Sequence, residues 1–282
     1  MSRNRFTIIH SNTDYSKPLS DFIRKDSQLI VTSGEFIYVG LYKPFNNVYF
    51  NLTTPNPTET TLTIEQNTKT GWQSVMESRD GTDGMSRSGF ISWTEEDDNR
   101  ETIETTVDGK TMFFYRISSD ENIDMLVRAI GVIFSDDDDI YLESPILDSE
   151  RYRKRVVGSD TDYIRVHIQV REYLIQEIRN KGIKKYNSEN DDVRLKFFRQ
   201  ITEFDFFDLD EVKLACTKLA MSNIYYKLSD DPEDNWKFEG DRYRQEYYRA
   251  LDVAFISIDF NDDGKLDSSE NMKPIKAVRI SR

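Results

Sequence analysis

Twelve consecutive residues carry the sharpest chemical pattern in the chain: Asp259-Phe-Asn-Asp-Asp-Gly-Lys-Leu-Asp-Ser-Ser-Glu270. The spacing fits the calcium-loop pattern D-x-[DN]-x-[DN]-G-x5-E at every position. Side-chain oxygens come from Asp259, Asn261, Asp263, Asp267 and Glu270, Lys265 supplies only its backbone carbonyl, and Gly264 makes the tight turn that such a loop needs. A hard cation suits this set, because carboxylates packed into one turn repel each other when nothing lies between them. After the loop, Pro274 and the short run Ala277-Val-Arg-Ile280 read as a terminal strand rather than an exiting helix. The expected ion is therefore Ca2+ in a structural role, clamping the end of the chain, and a sensor's opening motion is not expected.

Other chemistry has little material. The chain holds two histidines, His10 and His167, so neither a histidine-rich metal site nor a Ser-His-Asp relay is expected. Cys216 is the single cysteine and sits on an apolar helical stripe, which predicts a core residue and no internal disulfide. No glycine-rich phosphate-binding fingerprint occurs, and the sequence reads as a structural or interaction protein rather than an enzyme. The formal net charge of −13 over 282 residues excludes a basic duplex-binding surface, so no direct, sequence-specific nucleic-acid binding is expected. No run approaches membrane-spanning length and the first residues lack a signal-peptide core, which predicts a soluble chain made in the cytoplasm.

The elements that would position these residues fall into two patterns. From Phe6 to about Pro145, short apolar runs broken by Lys43-Pro44, Pro55-Asn-Pro57, Asp80-Gly81 and Asp83-Gly84 read as strands. They are expected near 28–31, 36–42, 47–52, 61–66, 72–78, 89–93, 112–117 and 127–134, with a last one at 140–142. Asp108-Gly109 is the clearest hairpin signal. After Asp160 the period changes to three and four. Tyr163, Val166, Val170 and Leu174 mark one helix, Val212, Ala215, Cys216, Leu219, Ala220 and Ile224 a second, and Tyr243, Tyr247, Leu251 and Ala254 a third. The fold class that follows is α+β in two domains: an antiparallel β-sandwich over 1–148, a linker over 149–160, and a helical domain over 161–282 that ends in the EF-hand-like loop 259–270. Within the linker, Arg151, Arg153, Lys154 and Arg155 form the one positive patch. It reads equally as solvated chain or as a contact with an acidic protein partner.

Two stretches resemble known proteins. Trp72-Gln-Ser-Val-Met with Gly84-Met-Ser-Arg-Ser-Gly-Phe-Ile-Ser-Trp93 resembles a β segment of virion proteins of tailed bacteriophages. Leu209-Asp-Glu-Val-Lys-Leu-Ala-Cys-Thr-Lys-Leu-Ala220, followed by Trp236, Tyr243, Tyr247 and Ala250-Leu251, is similar to phage head-to-tail connector proteins, the adaptors of the neck. The resemblance implies a virion location at the head-tail interface and a homo-oligomeric ring, dodecameric in the family. It also implies contacts with the portal protein and other neck, collar or tail proteins. The large β domain departs from a minimal adaptor. Two other classes fit the same residues: a tail or baseplate component, and a calcium-dependent carbohydrate-binding module.

Overall fold

The computed structural model describes residues 5–19, 26–94, 101–158, 160–180, 185–186, 198–199, 201–231, 234–254 and 256–259. The fold is α+β with two antiparallel sheets. The chain divides into two compact units, Met1–Val132 and Ile133–Arg282.

In the first unit, side chains that alternate between buried and exposed positions set the strand faces. The strands are β1 (Thr7–His10), β2 (Thr13–Asp14), β3 (Ser27–Val31), β4 (Ile37–Leu41), β5 (Asn47–Thr54), β6 (Leu62–Thr68) and β7 (Gly71–Ser74). They continue with β8 (Met76–Asp80), β9 (Gly89–Thr94), β10 (Thr105–Val107), β11 (Lys110–Ser119) and β12 (Ile123–Gly131), and a single short helix, α1 (Ser16–Leu19), follows β2. One sheet runs β2-β1-β4-β11-β6-β7, with β10 paired to β11, and the other runs β3-β12-β5-β9-β8. Trp93 of one sheet meets Tyr115 of the other with ring centroids 4.6 Å apart, and Phe45 packs on both rings. Ile37, Val39, Leu41, Val48, Phe50, Ile117, Met125 and Val127 are buried around them. Each such side chain contributes about 1.5–3 kcal/mol on leaving water.

The Asp108-Gly109 hairpin is present, with φ of 47° and 73° at the two turn residues, the double positive φ that a two-residue turn between twisted strands requires. The run expected as one strand over 72–78 is two. β7 pairs with β6 in one sheet and β8 pairs with β9 in the other, with the break at Val75 and an irregular register between Met76 and Arg79, where Glu77 has φ of 45°. The loop after β8 is held by Asp80, whose carboxylate accepts the Thr82 and Gly84 N–H groups, each at 2.8 Å. Gly84 has φ of 65°, and a Cβ there would lie 2.1 Å from the Thr60 carbonyl oxygen, so only glycine fits.

The second unit holds α2 (Asp137–Glu143), a 3-10 turn (Pro145–Asp148), α3 (Glu150–Val157) and α4 (Ile164–Asn180). The two-residue strands β13 (Lys185–Tyr186) and β14 (Phe198–Arg199) pair with each other, and a 3-10 turn (Glu203–Asp205), α5 (Asp210–Leu228) and α6 (Asn235–Val253) follow. Two expectations are corrected here. The strand expected over 140–142 is part of α2, because Asp136 caps a first turn filled with acids and the helix N-terminus favours negative charge. The expected linker 149–160 contains α3, which stops at Gly158 with φ of 73°, and the division between the units falls after Val132 instead of Asp148.

The antiparallel pair α5 and α6 is the best-packed part of this unit. Tyr225 and Tyr243 stack at 5.5 Å and 7°, and Tyr225 also stacks on Trp236 at 5.6 Å. The Ser222 hydroxyl donates to the Gly240 carbonyl at 2.9 Å. Every apolar residue of the predicted α5 stripe is buried, Cys216 included, and burial pushes its thiol up, away from the reactive thiolate. No described helix is long and apolar enough to cross a membrane.

Candidate functional site

The metal pattern begins where the description of the chain ends. Asp259, its first ligand position, is 3% exposed, and its backbone N–H donates to the Asp205 carbonyl at 2.9 Å. Asp205 is itself buried, its carboxylate accepting the Thr202 N–H at 2.7 Å and the Thr202 hydroxyl at 3.0 Å. One step back, Ser257 donates its N–H and its hydroxyl to the two carboxylate oxygens of Glu211, at 2.6 and 2.7 Å, while Ile258 bridges antiparallel to Phe206. Burial raises the Glu211 carboxyl above its usual range, against the pull of the two Ser257 hydrogen bonds. Asp208 and Glu211, spaced as a capping box would be, do not form one. Asp208 accepts the Asp210 N–H at 2.9 Å, and Glu211 holds Ser257 instead. The start of the predicted loop is thus fixed to the first turn of α5 and to the turn before it. Asn261, Asp263, Lys265, Asp267 and Glu270 lie outside the described residues. Among the described residues, no group of three or more His, Cys, Asp or Glu side chains is placed to hold a metal ion.

The basic cluster lies on α3, and most of it is occupied inside its own unit. Arg153 donates to the Tyr141 hydroxyl at 3.3 Å and lies 3.8 Å from Asp148. Lys154 pairs with Glu150 at 2.6 Å, and Arg155 pairs with Asp230. Arg151 is exposed, its guanidinium 5.9 Å from the Tyr152 ring. Of the four, Arg151 presents its charge outward most directly.

One constellation was not foreseen. His167, 2% exposed on α4, has Nδ1 at 2.9 Å from the Ser135 hydroxyl and Nε2 at 3.1 Å from an Asp137 carboxylate oxygen. Asp137 also accepts the Tyr163 N–H at 3.2 Å and the Tyr141 hydroxyl at 3.1 Å. Since a carboxylate only accepts, Nε2 carries a proton and Asp137 fixes the ring. These are the three side-chain types of a nucleophilic relay, but Ser135 is 1% exposed and its hydroxyl meets protein, not solvent. What the arrangement does chemically is hold a proton and orient the first turn of α2. Neighbouring Asp136 is pushed up to about 6, first by burial and then by the Asp139 carboxylate. The signal in the sequence was the run Asp136–Asp139 itself, which reads as a solvated turn until α4 and α5 are packed against it.

On the first unit, Arg116 lies over the Phe36 ring at 4.0 Å and the Trp72 ring at 4.7 Å and pairs with Glu65 at 2.7 Å, while Tyr38 meets Trp72 edge-on at 5.8 Å. This half-buried aromatic group lies on one face of the seven-stranded sheet.

No family model matches the chain, and no curated protein or solved structure matches it.

Proposed function

We propose that this chain is a structural virion protein of a tailed phage, a connector that forms a ring between portal and tail and helps to hold neck, collar or fibre components. The observation that supports this reading is the α5–α6 pair. The stretches that resemble adaptors, 209–220 and 236–251, form two antiparallel helices locked by the Tyr225, Trp236 and Tyr243 stack. A helix pair with Tyr and Arg at its surface is suited to repeated protein contacts, since tyrosine loses little on ordering and both residues are favoured in interface cores. A ring needs two different faces on each copy, joined head to tail. Arg151 is the exposed basic-patch residue best placed to meet an acidic neighbour, whereas Arg153, Lys154 and Arg155 already pair with Asp148, Glu150 and Asp230.

In this reading Asp259, Asn261, Asp263, the Lys265 carbonyl, Asp267 and Glu270 hold one calcium ion, which fixes the end of the chain to α5. The donor chemistry suits the ion, and the buried, backbone-tethered Asp259 gives the loop a fixed origin. The role is structural, and no catalytic step is assigned to any residue. The β unit supplies a second face for other virion proteins.

The aromatic group of Tyr38, Trp72 and Phe36 beside Arg116 and Glu65 favours one other reading, a carbohydrate-binding module, because sugars stack on exposed rings flanked by polar groups. Sedimentation of the purified chain and a glycan array separate the two. A monomer that binds glycans supports the module, and no glycan binding together with a ring of this chain at the neck of the intact particle supports the connector.

A further inference from the structure

The α5–α6 pair has two unlike edges. On the first, Lys218 of α5 joins Glu143 of α2, at 2.7 Å, to Glu246 of α6, at 3.2 Å. Leu214 lies one turn from Lys218, Val253 two turns beyond Glu246, and Leu142 beside Glu143, so all three fall on this edge. They are 55%, 70% and 85% exposed, an apolar surface that the chain leaves in water. Its rim is acidic, because each cation there faces two carboxylates: Lys218 as above, Lys213 between Asp139 and Asp210, and Arg242 between Glu239 and Glu246.

The second edge has the opposite character. Arg244 and Tyr248 come two positions after Arg242 and Glu246, about 200° around α6. Arg244 lies 5.8 Å from the exposed Tyr173 ring of α4 and 5.9 Å from the Tyr226 ring of α5, and its guanidinium donates only to the Asn223 side-chain oxygen, at 3.5 Å. The acids nearby are engaged elsewhere: Asp241 pairs with Lys237 at 3.5 Å, and Glu177 accepts the Tyr247 hydroxyl. Among the described residues, Arg244 has no carboxylate partner. We propose that the two edges bind each other between copies, the Arg244, Tyr173 and Tyr226 edge of one chain docking on the acid-rimmed Leu142, Leu214 and Val253 edge of the next. The inference rests on the ring of the connector reading and names the faces that close it. An apolar centre inside a charged rim is the usual anatomy of such a contact, and Tyr and Arg are its favoured anchors. The unmatched guanidinium meets surplus carboxylate, whereas either edge placed against itself would set like charges together. Two unlike faces on opposite sides of one helix pair give a head-to-tail contact, which repeats from copy to copy and can close.

The test is bismaleimide cross-linking of intact particles assembled with the full chain carrying Leu214→Cys, Gln176→Cys or both. Gln176 is exposed one turn from Tyr173, and the native Cys216 is buried and does not compete. The double variant should give a ladder of dimers, trimers and higher multiples, and neither single variant should give dimers. Adding Arg244→Glu to the double variant should remove most of the ladder, because the new carboxylate meets an acidic rim. Dimers from a single variant, or an undiminished ladder with Arg244→Glu, would overturn the contact. So would the absence of a ladder in a particle whose reconstruction shows a ring of this chain, a result that leaves the connector reading standing. A particle in which this chain forms no ring would overturn both.

Discussion

Glu211 and His10 show how single side chains in this chain join distant backbone. Glu211 takes both polar hydrogens of Ser257, so Glu211→Ala should remove two hydrogen bonds at this buried residue and cost the second unit about 1–3 kcal/mol. Glu211→Gln, which keeps an acceptor, should cost less, and urea melts of the two variants measure the difference. The raised Glu211 carboxyl means that its share of the stability is present at low pH and falls as the pH rises past its folded-state value. His10, 4% exposed, faces the Ile30 carbonyl at 2.7 Å and the Phe36 carbonyl at 3.0 Å. His10→Ala should deprive the carbonyl that accepts its ring N–H of that donor and lower the stability of the β unit by about 1 kcal/mol. At the metal loop, calcium about 100-fold above its dissociation constant should add on the order of 3 kcal/mol by mass action. Asp259→Ala combined with Glu270→Gln should remove that gain, and equal melting of the wild type in calcium and in chelator would show the loop to be an acidic turn only.

Among the elements, those with a strong period were legible in the sequence and those set by packing were not. The α5 stripe and most strands follow from residues that must leave water together, which any reading of apolar spacing finds. β1 was missed because Thr7-Ile-Ile-His10 is buried at every position, so it shows no alternation. α2 was read as a strand because Ile140–Leu142 is a short apolar run, and its helical state comes from the Asp136 cap and from its packing on α5. The metal pattern could be read because its ligands are close in sequence, whereas Ser135, Asp137 and His167 come together only when α4 folds back on α2. Two tests belong here. Trypsin should spare Arg151, Arg153, Lys154 and Arg155 under native conditions, because α3 and its ion pairs hold the backbone out of the protease's extended geometry. Gly240→Ala would put a methyl 2.9 Å from the Tyr226 ring, separating α5 from α6 and costing about 1–3 kcal/mol, with a lower melting temperature as the readout.

At the scale of the whole molecule, the account joins an aromatic-cored β unit to a helical unit whose last described residues are tied to α5. Its net charge of −13 keeps copies apart in solution unless specific faces meet, which agrees with a chain that assembles on a template rather than spontaneously. The central claim is therefore one of place. Reconstruction of the intact particle that contains this chain, at a resolution that traces helices, tests it directly. The prediction is a closed ring of this chain between portal and tail, with α5 and α6 in the contacts between copies. Density for this chain on the capsid faces or at the distal tip of the tail, or a particle without it, would contradict the connector reading.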